Sequence, residues 1–127
     1  MPTFGARSLK QLQTCDPKIQ EVLNEAIKHY DFSILEGHRT EEKQKEYFES
    51  GASKVSFPYS KHNSFPSLAV DIVPYPIDWD NLQRFNELSI VIKEACKKTN
   101  VNDLHWGFDL WNWDMPHWEL QNWERSE

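Results

Sequence analysis

The spacing of apolar and polar positions divides the chain into helical and extended segments. In "DPKIQEVLNEAIKHY" the apolar residues Ile19, Val22, Leu23, Ala26, Ile27 and Tyr30 follow the 3.6-residue period of a helix with one buried stripe. Asp16 is a ready N-cap, and Pro17 suits the first helical position, where its missing N–H costs nothing. "FSILEG" predicts a short strand ending at Gly37. "TEEKQKEYFESG" predicts a second helix. Thr40 caps it, Glu41 and Glu42 complement its positive end, and Gly51 stops it. Residues 52–66 show no period and predict a long loop, a kind of segment that is often functional. "SLAVDIV" is a β-branched strand closed by Pro74 and Pro76. "DWDNLQRFNELSIVIKEACKKTN" predicts the longest helix, capped by Asp78 or Asp80. Its inner face is Leu82, Phe85, Leu88, Ser89, Ile92, Ala95 and Cys96. Two short strands are expected near residues 103–108 and 117–121, with a Trp-rich connection between them. The N-terminal dozen residues are expected to lie across the surface. Helices and strands do not alternate regularly, so the pattern predicts an α+β fold with a small antiparallel sheet flanked by helices.

Composition narrows this picture. With 127 residues, 39% of them apolar and 13% aromatic, one domain over residues 1–127 is expected, with a real core. The net charge of −6 and the lack of a Lys/Arg run give no basic footprint for nucleic acid. The same balance argues against attachment to an anionic membrane surface. No run of 18 apolar residues predicts a membrane-spanning helix. The N-terminal sequence has no apolar signal core, so a product kept in a cytosol until something releases it is expected. Cys15 and Cys96, far apart, predict two free thiols, with Cys96 on the buried side of a helix. Of six Trp, four (Trp106, Trp111, Trp113 and Trp118) fall within 13 residues, and Trp123 lies just beyond. Such rings either line a pocket or pack a core.

Candidate chemistry centres on histidine. His29 reads as a structural residue near a helix end, His38 as a surface or pocket residue, and His105 as a strand residue that can face either way. His62 and His117 differ, because each has a carboxylate at a useful distance. His62 precedes Asp71 by nine residues; His117 follows Asp114 by three and precedes Glu119 by two. Residues two apart in a strand share a face, so His117 and Glu119 can point together. A catalytic zinc site takes three protein ligands and leaves a fourth position open. Its water also needs a base that is not a ligand. By spacing alone, His62 and Asp71 are either metal ligands or parts of a surface turn and a strand. Either Asp114 or Glu119 can serve as the base.

The order "SKH…AVDI", a long helix, "WGFD" and then "DMPHWEL" resembles the VanY-like zinc peptidases of peptidoglycan. That group includes D-Ala-D-Ala carboxypeptidases and the L-alanyl-D-glutamate endopeptidases found as phage endolysins. Ser60, His62, Ala69 and Asp71 match its first motif, and Asp114 and His117 its second. Arg39, Thr40, Gln44, Tyr47 and Gly51 match an upstream element. The resemblance covers roughly residues 9–120 and implies a hedgehog/DD-peptidase-like domain. It implies that His62, Asp71 and His117 hold Zn²⁺, with Asp114 rather than Glu119 as general base. Arg39 would clamp and polarise the substrate carbonyl or bind its carboxylate, and Ser60 would hydrogen-bond near the metal or to substrate. Trp106 would join Trp111, Trp113 and Trp118 in walling the cleft, and Asp109 would orient a ligand histidine.

The implied substrate is the peptidoglycan stem peptide. The implied setting is a monomeric endolysin in the host cytoplasm, released to the wall by a holin, without membrane insertion or nucleic acid. One departure from the pattern is the His-to-Asp interval. It is two residues longer than the family's, which puts Ser67 at the motif glycine and predicts a bulge that reshapes the cleft rim. Two other readings stand beside this one: wall remodelling by a D-Ala-D-Ala carboxypeptidase, and a non-catalytic wall-peptide-binding module on the same fold.

Overall fold

A computed structural model describes residues 2–121; Trp123 lies outside them. The chain order is α1 (Ala6–Leu12), α2 (Pro17–Ala26), β1 (Phe32–Glu36), α3 (Glu41–Ser50), a 3₁₀ turn (Lys61–Asn63), β2 (Ala69–Pro74), α4 (Leu82–Thr99), β3 (Leu104–Trp106), α5 (Gly107–Trp111) and β4 (His117–Leu120). The four strands form one antiparallel sheet in the order β1-β2-β4-β3. The expected α+β architecture is borne out.

Strand alternation gives the sheet two different faces. Val70, Ile72, Trp118 and Leu120 join the buried stripes of α2 and α4 in one apolar core. Their neighbours Asp71, His117 and Glu119 face the other way, and the register sets Asp71 opposite His117 and Ala69 opposite Glu119. In β1, Ile34 pairs with Ile72 but Glu36 pairs with Asp71, so the register shifts between them. This bulge turns Glu36 to the face that carries Asp71, a common use of bulges beside functional sites.

Helix signals near caps were legible. The Asp16 side chain accepts from Lys18 N–H, Thr40 accepts from Lys43 N–H, and Gly51 ends α3 at φ +83°. Three expectations need correction. Residues 6–12 are not draped across the surface but form α1, which buries Leu12 and Ser8. Gly5 offers α1 no side-chain cap, and the helix is held by tertiary contacts, including Ile34 N–H to Ser8 Oγ at 2.9 Å. Asn81, not Asp78 or Asp80, caps α4, because Asp78 accepts from Asp80 N–H in the turn before it. Leu82 therefore sits in the first turn and stays 57% exposed. Cys96 is half-buried against the core. No helix among the described residues is long and apolar enough to cross a membrane.

Candidate active site

The polar face of the sheet forms the floor of an open cleft. Its walls are α3 with the following loop on one side and the α5–β4 connection on the other. Two of the three expected ligands come from the sheet ladder. Asp71 on β2 and His117 on β4 are register partners, and Asp71 Oδ1 lies 3.2 Å from His117 Nδ1. The third, His62, comes from the 3₁₀ turn. Its Nε2 lies 3.3 Å from His117 Nδ1 and 3.4 Å from Asp71 Oδ1.

These three distances describe a nearly equilateral triangle. Donors about 2.0–2.1 Å from a tetrahedral zinc are separated by edges of about 3.3 Å. The donor set, two imidazoles and one carboxylate, is equally suited to zinc. The residues present therefore fit the metal that the resemblance implies.

Each histidine is oriented through its other ring nitrogen. His62 Nδ1 donates to the Gly37 carbonyl at 2.7 Å. His117 Nε2 donates to Glu119 Oε1 at 2.8 Å. Both arrangements turn a lone pair toward the shared centre. Burial alone would raise the Asp71 carboxyl, but the two imidazoles outweigh it and hold it well below the usual carboxylate range. Gly107 packs behind this site, where an added Cβ would meet the Asp114 carbonyl at 2.7 Å and His117 Cβ at 3.1 Å.

Asp114 and Glu119 are now distinguishable. Asp114 enters from the α5–β4 connection and lines the cleft. Burial raises its pKa, and the forces acting on it include no side-chain hydrogen bond among the described residues. Glu119 is committed: one oxygen accepts from His117, the other pairs with Lys61 Nζ at 3.0 Å. Burial would raise Glu119, but those two partners lower it overall.

Arg39 also lines the cleft, yet it is buried and engaged. Its Nε and Nη2 donate to Glu36 Oε1 at 2.9 and 2.6 Å, and Nη1 donates to Gln44 Oε1 at 2.9 Å. Nη2 also lies 3.7 Å from Asp71 Oδ2. Gln44 is the hub of this wall. Fully buried, it also donates to the Val55 carbonyl at 2.6 Å and to Ser53 Oγ at 2.9 Å. Ser60 shapes the turn that presents His62: its Oγ accepts from His62 N–H, and its own N–H is capped by Asn63.

The tryptophans from 106 to 118 divide between the core and the cleft. Trp106 pairs with Trp118 across β3 and β4. Both belong to the core, with rings stacked at 5.8 Å, and Trp106 Nε1 donates to the Met115 carbonyl at 2.6 Å. Trp106 therefore lies on the wrong face to bind substrate, and Trp118 does not wall the cleft. Trp111 and Trp113, 45% and 54% exposed, are the ones that do. Asp109 is also corrected. It is exposed and pairs with Lys93 at 2.9 Å, so the partners of the histidines are Gly37 and Glu119.

In the lengthened interval Phe65 is exposed and lies against His38, with ring centroids 5.3 Å apart. Ser67, in the motif glycine's place, is fully buried and donates to the Ala69 carbonyl at 2.6 Å. His38 is a cleft residue. His29 is exposed and pairs with Glu25, and His105 faces solvent. Sequence reasoning missed Glu36, Lys61 and the Gly37 carbonyl. The only local signal was Glu36 at three residues before Arg39.

Residues 2–122 match the family of phage L-alanyl-D-glutamate peptidases. The chain belongs to that family. A relative, the L-alanyl-D-glutamate peptidase of Escherichia phage T5, is 34% identical over 111 residues, covering 84% of this chain and 80% of the relative. The fold is shared with the L-Ala D-Glu endopeptidase ChiX of Serratia marcescens. The TM-score is 0.82 over 98% of this chain and 95% of that one, at 23% identity. The family resemblance carried by the three motifs is thereby borne out.

Proposed function

We propose that this protein is a zinc-dependent peptidoglycan endopeptidase that hydrolyses the L-alanyl–D-glutamate bond of the stem peptide. One observation carries the reading: a triangle of metal donors on the cleft floor, beside a partly buried carboxylate that has no side-chain hydrogen bond among the described residues. His62, Asp71 and His117 hold the metal. Zinc bound there supplies Lewis-acid activation of a water and of the scissile carbonyl. Asp114 takes the proton of the attacking water and returns it to the leaving amine. Its raised pKa makes it a stronger base than an ordinary carboxylate. Arg39 holds Asp71 and adds a fixed positive charge to the wall where the carbonyl oxygen becomes negative. Ser60 presents His62, while Trp111 and Trp113 flank the bound peptide. We place the enzyme, as a monomer, in the host cytoplasm until a holin lets it reach the wall.

Mass spectrometry of digested peptidoglycan tests the reading. New N-terminal D-Glu supports it, and free D-Ala shows a carboxypeptidase instead. Peptidoglycan left intact by zinc-loaded protein leaves a binding module. Asp114→Ala is expected to keep zinc and lose about 10²–10⁴-fold in rate. Loss on Glu119→Ala with full activity in Asp114→Ala would reverse the base assignment.

A further inference from the structure

We infer that Lys61 is a positioning residue: a cross-brace that ties the turn carrying His62 to the strand carrying His117. The inference rests on the zinc reading above. Lys61 and His62 are neighbours in one 3₁₀ turn. His62 reaches the metal-donor triangle, while Lys61 Nζ crosses to β4. There it donates to the Leu120 carbonyl at 2.6 Å and pairs with Glu119 Oε2 at 3.0 Å. The backbone repeats the same stitch. Leu68 N–H donates to the Lys61 carbonyl at 3.1 Å, and Leu120 N–H donates to the Leu68 carbonyl at 2.9 Å. Loop ligand and strand ligand are thus joined through two adjacent residues of one turn.

The brace acts on the metal site through Glu119. Three other carboxylates, Glu36, Asp71 and Asp114, line the same cleft, and Glu119 meets His117 at the ring nitrogen that faces away from the triangle. Lys61, with Gln121 Nε2 at 2.5 Å, holds Oε2 while His117 Nε2 donates to Oε1. Both oxygens are occupied, so Glu119 is fixed as the acceptor that keeps His117 Nδ1 toward Asp71 and His62. Arg39 does the corresponding work on the other side, where it engages Glu36 beside Asp71. The Lys61–Glu119 pair is largely shielded, with side chains 21% and 9% exposed. It therefore differs from the exposed ion pairs that contribute little.

The test is zinc affinity, measured by competition with a chromogenic chelator, for the parent, Lys61→Met, Lys61→Arg, Glu119→Gln and the Met/Gln double variant. Thermal melts of the metal-free forms accompany it. Lys61→Met is expected to bind zinc about tenfold more weakly or worse, the usual cost of losing an outer partner of a ligand. Its metal-free melting temperature falls no further than that of Glu119→Gln, Lys61→Arg recovers most of the affinity, and the double variant binds no more weakly than Glu119→Gln alone. Parental affinity in Lys61→Met, or additive losses in the double variant, overturns the brace. So does a metal-free melt that collapses in Lys61→Met, since Lys61 would then serve the fold at large. A parent that takes up no zinc removes the zinc reading and the brace together. A zinc-binding parent with indifferent variants removes the brace alone.

Discussion

Two regions deliver the proposed metal ligands to the same point by different means. The β2–β4 ladder carries Asp71 and His117 as register partners. Backbone hydrogen bonds and strand alternation set their positions, with Trp118 and Ile72 anchored in the core on the opposite face. The segment from 52 to 66 carries His62 on a single 3₁₀ turn in an otherwise irregular stretch. Its position is set by side chains: Gln44 reaching Val55 and Ser53, Asn63 and Ser60 closing the turn, and His62 meeting the Gly37 carbonyl. A ladder tolerates change at any one side chain. A loop held by a few buried polar contacts does not, because each lost partner leaves another group unsatisfied.

The largest effects are expected at the proposed ligands. Asp71→Ala and His62→Ala are each expected to lose stoichiometric zinc, by more than the roughly 10–100-fold cost of losing an outer-sphere partner. They should differ in the metal-free protein. His62→Ala speeds backbone hydrogen exchange in the loop and leaves the ladder protected, and equal exchange in both regions would erase the contrast drawn above. Next is Gln44→Leu, which strands Arg39 Nη1 and leaves the Val55 carbonyl only the longer bond from Ser53 Oγ at 3.3 Å. It should cost about 3 kcal/mol in urea melts and weaken zinc through the loop side only.

A glycine pair sharpens the comparison further. A Cβ at Gly37 would meet the Gln11 carbonyl at 2.6 Å and Cys15 Sγ at 2.8 Å, and one at Gly107 would press on Asp114 and His117. Each Gly→Ala change is expected to destabilise by about 1–3 kcal/mol. Gly37→Ala should shift the His62 resonances and Gly107→Ala those of His117; crossed effects would deny that the two deliveries are separate.

The smallest effect concerns Cys15, beside Gly37. Burial pushes its thiol up to about 12, against 9.0 for an ordinary thiol. At pH 8 Cys15 should resist a thiol reagent while half-buried Cys96 reacts sooner, and both should react in urea. Because the folded state favours the neutral thiol, this contribution is whole below pH 9 and fades as pH rises toward 12, visible as a falling melting temperature. Fast labelling of native Cys15 would show that the joint between α1 and the His62 side opens readily.

Local rules in the sequence accounted for most of the fold. The periods of α2 and α4, the caps at Asp16 and Thr40, the stop at Gly51 and the β-branched run of β2 all act within a few residues. They are legible because propensity, capping and side-chain alternation are short-range. The motifs carrying His62, Asp71, Asp114 and His117 were legible as well, and the structure brings all four to one cleft. Three matters depended on tertiary structure, because each is a contact between distant segments. Packing against β1 made a helix of residues 6–12. Strand pairing sent Trp106 and Trp118 to the core and left Trp111 and Trp113 at the cleft. Competition for partners separated two similar carboxylates: Glu119 is bound by His117, Lys61 and Gln121, whereas Asp114 has no side-chain hydrogen bond among the described residues. Residue types and spacing state which groups are present, but only the folded chain decides which of them are already satisfied by a neighbour and which remain available for chemistry.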